Sequence, residues 1–118
     1  MEELISTFVE EYEGALDQFE KGKYKNTLIL LSKALFALCD VLMYARLNKL
    51  PANHSERFRM LESYFPEIYV IVDELFSSYT DAYSQPVASE SCEALQDGIR
   101  KITRIAEVPK RIKELVER

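Results

Sequence analysis

The sequence predicts an all-α fold, an antiparallel up-and-down bundle of about five helices in a single domain over residues 1–118. Apolar residues recur at three- and four-residue steps almost throughout. Gly22 and the 4 prolines fall where those stripes stop or shift phase. No run alternates apolar and polar residues as a half-buried strand would.

The first helix is expected over 2–20. Leu4, Phe8, Tyr12, Ala15, Leu16 and Phe19 form its inner stripe, and Glu3, Glu10, Glu13, Asp17 and Glu20 lie opposite. Gly22 then supplies the left-handed residue that ends a helix. The second helix, 24–47, is apolar around most of its circumference, with a narrow polar strip at Asn26, Lys33 and Asp40. Lys33 and Asp40 would each cost about 2.5–3.5 kcal/mol at a bilayer centre, so the segment reads as a buried core helix and no membrane is expected. So wide an apolar surface predicts a homodimer that covers Ile29, Phe36 and Met43.

Residues 48–52 read as a loop around Pro51. Asn53, with Glu56 three residues on, resembles a capping box and opens a short third helix with His54 in its first turn. Pro66 suits the first position of a fourth helix, whose inner face carries Ile68, Val72, Leu75, Phe76, Tyr79 and Tyr83. A fifth helix starts near Ser89 with the stripe Cys92, Leu95, Ile99, Ile102 and Ala106. Pro109 breaks it, and Ile112, Leu115 and Val116 continue as a short end piece in a shifted phase.

Composition excludes several classes. Hydrophobic residues are 47% and charged residues 30%, near globular averages, so a disordered chain is not expected. At 13.7 kDa a folded chain should expose roughly 6,600 Å², which leaves room for a core without disulfides. Cys39 and Cys92 stand alone on apolar stripes and read as reduced core thiols. With no signal peptide, a cytoplasmic location is expected. One histidine and no cysteine cluster give no metal site, and nothing calls for a cofactor. The net charge of −5 hides alternating blocks: residues 1–22 and 66–98 are acidic, 23–65 and 99–118 basic. Such blocks suit neighbouring helices that attract.

Chemistry-bearing residues gather around the loop at 48–52. Arg46, Lys49, Arg57 and Arg59 flank it, and guanidinium groups can hold phosphate bidentately. Together with His54 they form the best local anion site, or else a solvated basic rim. His54 reads as a base or ligand-binding group, or as a capping-turn residue. Tyr79 and Tyr83, one helical turn apart, can stack a nucleobase or simply continue the core stripe. The candidate nucleotide-binding set is therefore Arg46, Lys49, His54, Arg57, Tyr79 and Tyr83. Asp73, Glu74 and Asp81 read as a solvated outer face.

The stretches Phe19-Glu20-Lys21-Gly22-Lys23-Tyr24-Lys25-Asn26-Thr27 and Ser32-Lys33-Ala34-Leu35-Phe36-Ala37-Leu38, followed by Leu50-Pro51-Ala52-Asn53-His54-Ser55, resemble the HEPN domain family over roughly residues 8–85. The resemblance implies a dimerising bundle of four to five helices. It also implies a role in RNA metabolism, in toxin–antitoxin pairs, or beside a minimal nucleotidyltransferase. Active members are metal-independent ribonucleases with an Arg and a His four to six residues apart, near the end of a later helix. The matching segment here, Ser78-Tyr79-Thr80-Asp81-Ala82-Tyr83, carries neither, and Arg46 precedes His54 by a longer spacing. The resemblance therefore implies a nucleotide- or RNA-associated partner protein that is not a catalyst. The alternatives are a divergent ribonuclease using Arg46 and His54, and a pure protein-interaction module.

Overall fold

The computed structural model describes residues 1–118 and contains six helices: α1 (Glu2–Glu20), α2 (Tyr24–Leu47), α3 (His54–Tyr64), α4 (Pro66–Asp81), α5 (Ser89–Ile105) and α6 (Lys110–Val116). The fold is an all-α helical bundle. The sixth helix is the end piece beyond Pro109, a full helix in its own right. Accessible surface totals 6648 Å², in line with the value expected for a chain of this mass that folds on its own.

The local signals act as their chemistry dictates. Gly22 adopts φ 71°, so the chain reverses between α1 and α2 without a Cβ penalty. Asn48 takes φ 53° at the end of α2, a left-handed position that asparagine tolerates. The backbone N–H of Glu56 donates to Asn53 Oδ1 at 2.9 Å, and Glu56 Oε1 accepts from Ala52 N–H at 3.3 Å. The return bond thus reaches one residue further back than in the usual box. Pro66 occupies the first turn of α4, where its missing N–H costs nothing.

Helix α2 packs against α1, α3, α4 and α5. By length and composition it is apolar enough to cross a membrane, yet 67% of its most apolar window is buried inside the fold. Met43 is fully buried and Phe36 is 7% exposed. The expectation that these two wait for a second chain is therefore corrected: the chain's own helices cover them. Besides α1, both α3 and α4 reach α2, and α5 closes the remaining arc. Only Ile29 of that trio stays half-buried.

Close helix contact also explains Gly98, which the sequence reading passes over. It is buried on α5, and a Cβ there would meet Leu75 Cδ1 on α4. The end of the fold is tied by polar contacts: Arg104 Nε and Nη2 donate to the Glu117 carboxylate at 3.1 and 3.0 Å, and Lys113 Nζ donates to the Thr103 carbonyl at 3.0 Å. The charge blocks are realised differently from expectation. No ion pair joins α1 to α2 or α4 to α5; the two that link separate segments, Asp40–Arg57 and Glu117–Arg104, each form within one block. Exposed charges on neighbouring helices are screened by water and need not meet.

Ser32 Oγ is buried on α2 with no hydrogen-bond partner. Removing an unsatisfied hydroxyl recovers its desolvation cost, and alanine is the better helix former. Ser32→Ala should therefore raise stability by about 1 kcal/mol, read as a higher urea midpoint with unchanged slope. Gly98→Val should do the opposite, lowering stability by about 1–3 kcal/mol through overpacking against Leu75. A neutral result would mean that the Leu75 side chain turns aside at little cost.

Candidate functional site

The site is built where α2 admits its one half-buried acid. Asp40 interrupts an otherwise buried run from Ala34 to Met43. A carboxylate at that depth must be paired. Arg57, on α3, supplies the partner: Nε donates to Asp40 Oδ1 at 2.9 Å and Nη2 to Oδ2 at 3.1 Å. The two side chains are only 12% (Arg57) and 20% (Asp40) exposed, so the bidentate pair is largely shielded from water.

The remaining arm of Arg57 reaches His54. Nη1 lies 2.8 Å from His54 Nδ1. A guanidinium has donors only, so Nδ1 must be the acceptor and the imidazole proton sits on Nε2. The His54 ring rests on aromatic side chains, with centroids 4.6 Å from Phe36, 5.5 Å from Phe76 and 6.1 Å from Tyr79. Desolvation against this wall and the adjacent Arg57 charge hold its pKa below 6.5, with Asp40 pulling weakly the other way. Sequence spacing explains the geometry: His54 and Arg57 lie three residues apart on α3, hence on one face.

A groove of about 280 Å³ opens over this cluster. Its far bank comes from α1, through Thr7 and Glu11, and Lys33 enters from α2. Tyr79 forms part of the aromatic wall, edge-on to Phe36 at 5.3 Å. Its hydroxyl shares a hydrogen bond with Tyr83 Oη at 3.3 Å, and this contact, followed by partial burial, raises the Tyr79 pKa.

Four of the expected nucleotide-site residues thus lie close together: His54, Arg57 and Tyr79 line the groove, and Tyr83 adjoins it through Tyr79. Tyr83 is 61% exposed and does not continue the core stripe of α4. Arg57 is committed to Asp40 and is not a free anion receptor. Lys49 is exposed and engages no side chain. Arg46 belongs to a different place. Its Nη1 donates to the Tyr64 carbonyl at 2.8 Å, its guanidinium lies 4.2 Å over the Phe65 ring, and it lines a groove with Ile105 and Ala106. The structure does not bring Arg46 to His54 as a catalytic pair.

Thr7 and Glu11 were missed by sequence reasoning. The signal was present: they are one turn apart on the flank of the α1 apolar stripe, and Glu11 does not belong to the outer acidic face. Cys39 and Cys92 are buried free thiols, with burial pushing Cys39 up to about 12, so neither is a nucleophile. No three His, Cys, Asp or Glu side chains converge as metal ligands. Set against models of known protein families, curated proteins and solved structures, the chain matches none.

Asp40→Ala strands the Arg57 charge. It should cost about 2 kcal/mol, reduced from the value for a fully buried pair by the residual exposure. The double change Asp40→Leu with Arg57→Leu should recover most of that loss in a denaturant melt. The depressed His54 pKa also fixes the sign of a pH effect. Because the unfolded chain binds the proton more readily, the contribution is complete above the unfolded value of 6.5 and is lost as pH falls toward the folded pKa. Stability should therefore decline as pH drops below about 6.5, and His54→Gln should flatten that part of the profile. An unchanged profile in the variant would remove His54 as its source.

Proposed function

We propose that this chain is a HEPN-like nucleotide- or RNA-associated binding and partner protein, with its helices arranged up and down in antiparallel order, and that it does not itself cut RNA. The observation that carries the non-catalytic half is the hydrogen bond from Arg57 to His54 Nδ1. A general base needs a free lone pair facing the proton that it removes. His54 has one lone pair, and Arg57 occupies it. To use Nε2 as the base, the ring would have to move its proton to Nδ1 and lose that bond. To act as an acid, it would have to protonate beside a guanidinium. The imidazole is thus a fixed Nε2–H donor, a group that binds rather than turns over.

The binding half is supported by the groove: the Tyr79 ring, backed by buried Phe36, beside a fixed donor. Aromatic faces of this kind stack bases without regard to sequence. The family resemblance adds the partner class, a minimal nucleotidyltransferase in a toxin–antitoxin-type system, and a homodimer in which Ile29 is the member of the expected α2 face that keeps some surface.

The test is an RNA cleavage assay in EDTA joined to a nucleotide titration. Wild type and His54→Ala should give the same background cleavage. A general base contributes roughly 10²–10⁴-fold, so a working one would be plain. In the titration His54→Ala should weaken nucleotide or RNA binding by about threefold to tenfold, the loss of one hydrogen bond and some stacking. Cleavage that His54→Ala abolishes would overturn the non-catalytic reading. No binding of nucleotides or RNA would overturn the binding role.

A further inference from the structure

The groove over His54 is balanced in charge. Glu11 and Asp40 are the acids that line it, and Lys33 and Arg57 are the bases. Arg57, the group best shaped for phosphate, spends two arms on Asp40 and the third on His54. His54 is held neutral. What remains free is one cation, Lys33, and one anion, Glu11, neither of which pairs with another side chain. A phosphate placed here would meet a single ammonium and an uncompensated carboxylate. An uncharged ligand meets no such conflict.

The rest of the groove has a matching chemistry. His54 and Tyr79 present rings, with buried Phe36 packed behind them. His54 Nε2–H and Lys33 Nζ are donors. The Glu11 carboxylate is an acceptor, and so is Thr7 Oγ1, whose own proton goes to the Glu3 carbonyl at 2.9 Å. A flat, neutral ring with donors and acceptors along its edge satisfies all of these groups. We propose that the groove recognises the base of a nucleoside, or an unpaired base of RNA, rather than its phosphate. This rests on the nucleotide-associated reading above and narrows it to one moiety.

Calorimetric titration of the full chain tests it, using adenosine, guanosine, cytidine and uridine, their 5′-monophosphates, and short single-stranded RNA. At least one nucleoside should bind, with its monophosphate within about threefold. Raising salt from about 50 to 200 mM should change the affinity by less than about threefold, because few phosphate counterions are released. Lys33→Gln keeps a donor and removes the free charge; it should shift nucleoside and monophosphate affinity by the same factor, leaving their ratio within about threefold. Tyr79→Leu should lower it about tenfold or more through lost stacking. RNA that binds more than about tenfold tighter than the free nucleoside, with the same flat salt dependence, would identify RNA as the source of the base; equal affinity would identify the nucleoside. The proposal is overturned if nucleotides bind where nucleosides do not, with affinity that falls steeply with salt and vanishes in Lys33→Gln. The broader nucleotide-associated reading would survive that result. If no nucleoside, nucleotide or RNA binds, both fall.

Discussion

Helix α2 must be kept from water on nearly every side, and the remainder of the bundle is arranged around that need. Thirteen of its residues are buried, from Thr27 to Met43. Burying a side chain of the Leu, Val or Phe kind contributes roughly 1.5–3 kcal/mol. No single neighbouring helix can cover so wide an arc. The chain therefore brings α1, α3, α4 and α5 against it, and α6 is tied back onto α5 by Arg104, Lys113 and Arg100. A second copy is not needed to shield Phe36 or Met43.

The candidate site follows from the one point where this burial is broken. Asp40 lies within the apolar run and demands a cation. Arg57 meets that demand bidentately, which docks the start of α3 beside α2. Once Arg57 is held, its third arm sets the proton position of His54, and the His54 ring fills the space over Phe36. A requirement of folding and a property of the groove thus share one ion pair. The proposed non-catalytic role rests on that sharing, because a general base needs a free lone pair and an arginine that faces phosphate needs free donors.

Much of the fold was legible because its signals are local. Gly22, the Asn53–Glu56 cap, Pro66 and Pro109 each act within a few residues of themselves, and the helix limits fall where those residues place them. The stripes on α1 and α5 announce their own buried faces. What was not legible concerns which faces meet. A period of 3.6 residues shows that Phe36 and Met43 point away from water but not which helix receives them. Arg46 and His54 read as neighbours along the chain, yet Arg46 turns to the Tyr64 carbonyl and the Phe65 ring. Asp40 and Arg57 were both noticed, but seventeen residues of chain and a loop separate them, and nothing local announces their pairing. Tyr83 shares a spacing with the core stripe of α4 but lies beyond the end of that helix, in the exposed turn that follows. Gly98 carries no periodic signal at all; its importance is the nearness of Leu75.

The central claim is that Asp40 and Arg57 hold the imidazole as a neutral Nε2–H donor. His54 is the only histidine, so its ring nitrogens can be observed without ambiguity. Nitrogen-15 NMR of the imidazole across pH 4–8 reads both the tautomer and the titration. The account predicts a neutral ring protonated at Nε2, an apparent pKa below the 6.5 of an unperturbed histidine, and a rise toward that value in Arg57→Leu. A ring protonated at Nδ1, or a pKa above 6.5, would contradict it.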